Sequence, residues 1–466
     1  MILSVSWPEG RGGPEPARSS GKKYEQYPDP SEEEPRARLL DWRQSSKADT
    51  RVRRILYVSR QFPQDIAKSV HGVYLRMRLF LDAIVELADD LEMLFYVETG
   101  VEASPAAMRR AEHDLLAAWG IHAKVTLCPV AVPRTPRSFW NHYVRPATSI
   151  FAQELYAGTS GAPQIAAFET ALEGRPDLVF VHRLDSMCPV LLTRRELPPV
   201  FMDIDDIEHV KVIRQIRQPP FWLGKPLYYL QVPALISGER RAVKLTRKSF
   251  VCSDLDQRYL AKWWQLPQVA TISNAVAIPT EYGVKQQSKT LLFLATYAYA
   301  PNITAAEFLI RDVWPLIREA CPEARLIIAG NKPERIPSFA SHPPGVEFTG
   351  FVEDLGQLYQ RVGIVCCSIL SGGGTRLKIL EAAAYGKAIV STTVGAEGLE
   401  LRDGIEIVIR AGAQAFARAC VDLLGDPVRC EALGVAAREM VARRYDRQQI
   451  VARIKEEIGN PGRLAG

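Results

Sequence analysis

Ser371-Gly-Gly-Gly-Thr-Arg-Leu-Lys-Ile-Leu-Glu381 decides the fold of this 466-residue chain. The apolar run Gly363-Ile-Val-Cys-Cys-Ser-Ile-Leu370 precedes it, and Ala382-Ala-Ala-Tyr-Gly-Lys-Ala-Ile-Val390 follows. The order is strand, glycine-rich turn, helix, Gly386, strand, which is one βαβ unit. Consecutive glycines let a backbone approach a bulky anion because no Cβ intervenes. The free N–H groups of the next helical turn, at the positive end of its dipole, then bind phosphate oxygens. Glu381 falls about two turns along that helix, where a carboxylate accepts bonds from ribose hydroxyls. The pattern predicts a nucleotide diphosphate site.

Outward from this unit, short apolar runs alternate with helical stretches. Before it stand Arg53–Ser59, Glu92–Val97, Ala123–Leu127, Leu178–His182, Pro199–Asp203, Ser249–Cys252 and Val269–Ile272. Hairpin turn signals are missing between them, so the reading is α/β, with mainly parallel sheets wrapped on both faces. Residues 1–50 are rich in Gly, Pro, Ser, Glu and Arg and read as a disordered extension. The expected division is one Rossmann-like domain at 51–280, a polar linker at 281–289, and a second domain at 288–444. A terminal helix at 445–460 is expected to follow.

Three further segments join the glycine turn in carrying a family resemblance. Phe293-Leu-Ala-Thr-Tyr-Ala-Tyr-Ala-Pro-Asn302 opens the second domain, Ala324-Arg-Leu-Ile-Ile-Ala-Gly330 is a strand ending in glycine, and Gly345–Leu355 is a strand with a loop. With Gly395-Ala-Glu-Gly-Leu399 after the next strand, these resemble the family 4 retaining glycosyltransferases of the GT-B fold. The resemblance is strong over residues 288–445 and weak before them. It implies two doubly wound domains facing a cleft, with the first holding the acceptor and the second the nucleotide sugar. It also implies that the terminal helix crosses back onto the first domain. Many members carry two glutamates eight positions apart; here Gly373 stands at the first, and backbone amides are expected in its place.

Ligands of open α/β sheets sit beyond the carboxyl ends of the strands. For the second domain this selects Gly373, Gly374, Thr375, Arg376 and Lys378 for the diphosphate and Glu381 for ribose. Asn302, Gly330, Asn331 and Val352 then form the base-side rim. The same rule, with the resemblance, selects His182 and Gly72 as the pair nearest the reacting centre. A neutral imidazole at 182 hydrogen-bonds sugar hydroxyls, and the loop glycine lets the backbone approach. Arg76, one turn later, is expected to face the cleft, with Arg183, Asp205 and Asp206 on the acceptor side. Asp203-Ile-Asp-Asp206 looks like a metal motif, but it lies in the first domain and the glycine turn in the second. No metal and no cofactor are therefore expected; helix amides and cations neutralise the diphosphate instead.

Composition bounds the alternatives. A net charge of +5 with 24% charged residues is modest, and no nucleic-acid partner is expected. No apolar run approaches the ~20 residues of a membrane span, and Met1–Trp7 is too short for a signal peptide. The eight cysteines show neither zinc spacing nor a disulfide framework, which points to reduced thiols in a cytoplasm. From Lys211 to Lys248 nine Lys or Arg residues face one acid, Glu239, with Phe221-Trp222 and Tyr228-Tyr229 among them. That stretch suggests an anionic membrane surface as a partner, beside a glycan or lipid-linked acceptor. Rival readings are a nucleotide-sugar epimerase and a non-catalytic sugar-nucleotide binder. A nicotinamide dehydrogenase is disfavoured, because neither domain's first strand enters a Gly-x-Gly-x-x-Gly turn.

Overall fold

A computed structural model describes residues 52–63, 66, 72–131, 138–218, 221–280, 282, 288–372 and 375–459. The extension at 1–50, most of the linker at 281–289, and Gly373 and Gly374 lie outside the described residues.

The first half holds β1 (Val52–Ser59), β2 (Ala88–Val97), β3 (Lys124–Pro129), β4 (Leu178–His182), β5 (Val200–Asp205), β6 (Lys248–Val251) and β7 (Val269–Thr271). They form one sheet in the order β3-β2-β1-β4-β5-β6-β7, every neighbouring pair parallel. Alternate residues of a strand point to opposite faces. Leu56 and Val58 accordingly enter one buried cluster, and Ile55 and Tyr57 enter another on the far side. Both faces are covered, which is why β1 reads as continuously apolar from Ile55 to Val58 rather than alternating.

The second half holds β8 (Thr290–Leu294), β9 (Arg325–Ala329), β10 (Val346–Thr349), β11 (Ile364–Cys367), β12 (Ala388–Ser391) and β13 (Val408–Ile409). Their order is β10-β9-β8-β11-β12-β13, again parallel throughout. Each sheet reverses its strand order once, between β1 and β4 in the first half and between β8 and β11 in the second. Loops leaving a reversal point diverge and open a crevice there. The glycine turn leaves β11, and His182 ends β4 directly across from Ser59 of β1. Topology thus puts both sequence-selected features at the crevices.

The terminal helix Arg447–Gly459 packs on the first half. Ile450, Val451, Ile454 and Ile458 join the cluster of Leu79, Phe80 and Phe250. Arg447 pairs with Asp82 at 2.6 Å, and Arg447 N–H donates to the Val276 carbonyl at 3.0 Å. Four buried branched side chains, at roughly 1.5–3 kcal/mol each, hold the crossing more firmly than the partly exposed ion pair beside them.

Strand ends run up to four residues from the sequence expectation, and β4 matches it at both ends. The largest difference is β2, which starts at Ala88 rather than Glu92, because pairing with β1 extends it beyond its apolar part. At β5 the register slips between Asp203 and Asp205, and Asp205 takes φ +60°.

Candidate active site at the seam of the two halves

Contacts among the described residues close the seam. Asn274 Nδ2 donates to Thr375 Oγ1 at 2.6 Å, tying the loop after β7 to the end of the glycine turn. Arg214, on the helix Glu208–Arg217, grips Glu397 through two bonds of 2.7 and 2.8 Å, which is the fork geometry that suits carboxylate. A Cβ built on Gly72 would lie 3.4 Å from Leu377 Cδ1, so the first residue of the helix Gly72–Leu87 meets the first residue of the helix Leu377–Ala384.

On the second-half side Gly372, near the start of the turn, has φ +117°, a conformation only glycine adopts without strain. Thr375 is buried. Lys378 reaches back to Asn302 Oδ1 at 3.1 Å and lies over the Phe293 ring at 4.7 Å. Asn302 is itself fixed by donating to the Thr296 carbonyl at 2.8 Å. Burial lowers the Lys378 ammonium to about 8, so an arriving anion is expected to stabilise its charge. Glu381 accepts from the Tyr359 hydroxyl at 3.3 Å, and burial raises its carboxyl to about 7. The base-side rim is built of backbone: Asn331 offers its carbonyl to Tyr297 N–H at 2.9 Å, and Gly330 N–H donates to Gly350 O at 3.1 Å. Val352 packs its side chain against the core.

On the first-half side His182 is fully buried, with Nδ1 3.1 Å from Ser59 Oγ. Its Nε2 has no hydrogen-bond partner among the described residues. Burial, then the charges of Arg183 and Arg76, push its pKa well down, so the ring is neutral at ordinary pH. Arg183 takes φ +70° and sits 3.2 Å from Glu208 and 3.8 Å from Asp205. Two neighbouring non-glycine residues in the left-handed region, Arg183 and Asp205, mark a strained rim held by surrounding structure. Burial, then Asp205, raises the Asp206 carboxyl to about 6.

Two expectations need correction. Arg76 does not face the cleft: its side chain is 1% exposed and binds Asp203 through three bonds of 2.6 to 3.1 Å. It also donates to Ile272 O and to Asn274 Oδ1 at 2.9 and 3.2 Å. Its partner Asp203 lies 127 residues away in sequence, so only the fold could bring them together. Despite burial, which would lower it, the two aspartates hold the guanidinium firmly charged. Nor is the acidic cluster remote from the glycine turn. The chain Asp203–Arg76–Asn274–Thr375 joins them through consecutive hydrogen bonds.

Ligand atoms of Asp205, Asp206 and Cys252 lie within 4.8 Å of one another. Burial raises the Cys252 thiol well above its usual range, and a protonated thiol is a poor partner for a hard cation that prefers oxygen. Sequence reasoning missed Asn274 altogether and saw Arg214 only as one cation among nine. No local pattern marks either, because their roles depend on partners about 100 and 183 residues away.

Comparison with known proteins agrees with this architecture. Residues 288–426 match the family Glycosyl transferases group 1. Phosphatidyl-myo-inositol mannosyltransferase of Mycobacterium leprae is 28% identical over 226 residues, covering 44% of this chain and 58% of that protein. The chain thus spans little more than half the length of that relative. Sucrose-phosphate synthase from Thermosynechococcus elongatus superposes with a TM-score of 0.61 at 15% identity, over 87% of this chain and 98% of that one. Anabaena HepE, in complex with UDP and glucose, gives 0.59 at 14% identity, over 87% and 99%. The two crevice-forming sheets and these superpositions give the chain the GT-B fold, and its residues 288–426, which hold the segment between β11 and its helix, carry the match to glycosyl transferases group 1.

Proposed function

We propose that the chain transfers a sugar from a nucleotide diphosphate sugar to an acceptor hydroxyl, with retention at the anomeric carbon. The observation that carries this reading is the partly buried Glu381, two turns beyond a glycine turn at the sheet's reversal point and, among the described residues, accepting from the neutral Tyr359 hydroxyl. A carboxyl raised to about 7 by burial, with the Tyr359 hydroxyl and the Lys378 charge offsetting only part of that rise, is poised for ribose hydroxyls. Lys378, the Thr375 amide and the other amides of the turn then neutralise the diphosphate. The leaving phosphate itself takes the proton of the incoming hydroxyl, so no protein nucleophile is needed. His182, neutral and with Nε2 uncommitted, orients a sugar hydroxyl once the seam opens to admit the donor.

The named activity of the mycobacterial relative supports a lipid-linked acceptor, and the UDP in the Anabaena complex supports a uridine nucleotide among the donors to be tried. Exopolysaccharide, cell-surface glycan or glycolipid synthesis at the cytoplasmic face of a membrane is the setting we favour. No described helix is long and apolar enough to cross a membrane. A thermal-shift panel of UDP, GDP and ADP sugars identifies the donor, because binding to the native state raises Tm. Release of sugar from that donor, with and without candidate acceptors, then separates transfer from plain binding.

Glu381→Ala is expected to fold normally and to weaken nucleotide affinity by roughly 1–3 kcal/mol, the scale of a lost charged hydrogen bond. In the wild type, affinity should fall as pH drops through about 7, because protonation removes the charge that strengthens the hydrogen bonds from ribose. Calorimetric titration between pH 5.5 and 8.5 checks both; a flat profile with unchanged mutant affinity removes the assignment. Activity is expected to survive excess EDTA without added Mg²⁺ or Mn²⁺. Loss on chelation, restored by either ion, would instead make Asp205 and Asp206 ligands.

A second reading, a nucleotide-sugar epimerase, is favoured by one observation: Asp206, raised to about 6, is a carboxyl able to exchange protons near neutrality. Isomerisation of the donor without any acceptor would support it over transfer.

A further inference from the structure

Two segments far apart in sequence build one apolar ridge on the first half. Phe139 and Trp140 are 59% and 64% exposed, and Phe221, Trp222 and Leu223 are 70%, 51% and 100% exposed. Exposed aromatics this concentrated are unusual on a soluble surface. Beneath them the segments are welded together. The Tyr143 and Tyr228 rings meet edge to face at 5.5 Å, His142 Nε2 and the Tyr228 hydroxyl are 2.7 Å apart, and Gln231 donates to the His142 carbonyl at 3.0 Å. Phe139 in turn lies against Tyr143 at 5.3 Å. The ridge is therefore a supported element that holds its large apolar tips outward.

Charge near the ridge is mostly positive, with Glu154 the acid that acts on Tyr228 at its base. Neither 138–153 nor 209–238 contains an aspartate or glutamate, while Arg145, Arg217 and Lys225 lie within them. Lys225 sits 5.3 Å from the Phe221 ring and 5.0 Å from the Trp222 ring, as cations do beneath aromatics. The fold also changes the sequence-level view of the Lys211–Lys248 stretch. Lys211 pairs with Glu208, Arg214 with Glu397 and Lys248 with Glu457, so a third of its nine cations are neutralised by acids from elsewhere. What remains is strongly apolar and aromatic with a thin cationic rim. A second copy of the chain is a poor occupant, since ridge-to-ridge packing would oppose like charges around a convex tip.

We propose that the ridge Phe139–Trp140 with Phe221–Trp222–Leu223 inserts into the interfacial layer of a lipid bilayer, mainly through apolar contact. Indole and phenyl rings settle at that layer, where their burial removes apolar surface from water. The helix Glu208–Arg217 runs from Glu397 at the seam to within a few residues of Phe221, so docking here brings the seam close to the membrane surface. This inference rests on exposure and charge alone and stands or falls apart from the transfer reading.

The test is sedimentation of the full chain with phosphatidylcholine vesicles, with and without phosphatidylglycerol, at low salt and at about 1 M salt, where the Debye length is about 3 Å. Co-sedimentation with both vesicle types is expected, somewhat tighter with phosphatidylglycerol and largely kept at high salt. The triple variant Trp140→Ser, Trp222→Ser, Leu223→Ser should lose tenfold or more of vesicle partitioning, with circular dichroism and Tm unchanged because these side chains are exposed. Protein left in the supernatant with both vesicle types overturns the proposal. So does binding abolished by salt, which would assign it to the basic residues, or a variant that binds like wild type. Concentration-dependent dimerisation that the variant loses, without vesicle binding, would overturn it in favour of a self-interface.

Discussion

Replacement of Arg76 by alanine should remove about 3–5 kcal/mol of stability, the cost of leaving one member of a buried ion pair without its partner. Arg76 and Asp203 are 1% and 0% exposed, so solvent cannot take over either charge. The variant also strips donors from Ile272 O and Asn274 Oδ1. Urea denaturation measures the loss, and pH gives it a signature. Without Arg76, the Asp203 carboxyl, already raised to about 6, rises further above its unfolded value. The folded variant then binds more protons than the unfolded chain, so its stability falls as pH rises through that window. The defect should be worst near pH 8 and smallest near pH 4. The double variant Arg76→Met, Asp203→Leu should recover much of the loss, since apolar side chains of similar volume replace buried pairs well. A single variant as stable as wild type would show that the pair is dispensable. A further, smaller effect is expected on nucleotide affinity, because Asn274 is also the residue that holds Thr375.

Gly330→Ala is expected to destabilise the second half by about 2–5 kcal/mol, combining a strained backbone with an overlap that cannot relax cheaply. Gly330 has φ +123°, and an added Cβ would fall on the Ala295 carbonyl group, 2.8 Å from its carbon. That carbonyl belongs to the loop leaving β8, whose Ala295 N–H is already bonded to Ala329 O at 3.0 Å. The obstacle is backbone in a parallel ladder, so the clash must be met by pulling β8 and β9 apart. Thermal unfolding, followed with and without nucleotide, reports the result. A Tm within a degree or two of wild type would mean that this close approach is not required.

Much of this was legible in the chain. The glycine turn, the alternating short strands and the terminal helix were read from local pattern, and their boundaries differ from the structure by a few residues. Local reading works there because helix and strand formation, and the need of a turn for glycine, depend on neighbours in sequence. Arg76 shows where it stops. One helical turn from the loop glycine it looked like a cleft residue, yet it is an interior cross-link. The basic stretch looked like a uniform cationic face, yet Glu208, Glu397 and Glu457 neutralise part of it.

Sequence alone therefore determined the βαβ unit and the two α/β halves, and it selected Glu381 and Lys378 on the helix after the glycine turn as the residues to test. Tertiary structure decided which charges pair. It joined Asp203, Arg76, Asn274 and Thr375 into one line across the seam, and it set Phe139–Trp140 beside Phe221–Trp222. The physical reason is range. Periodicity and turn chemistry act over a few residues, whereas ion pairing and burial act between whatever groups the folded chain brings within a few ångströms.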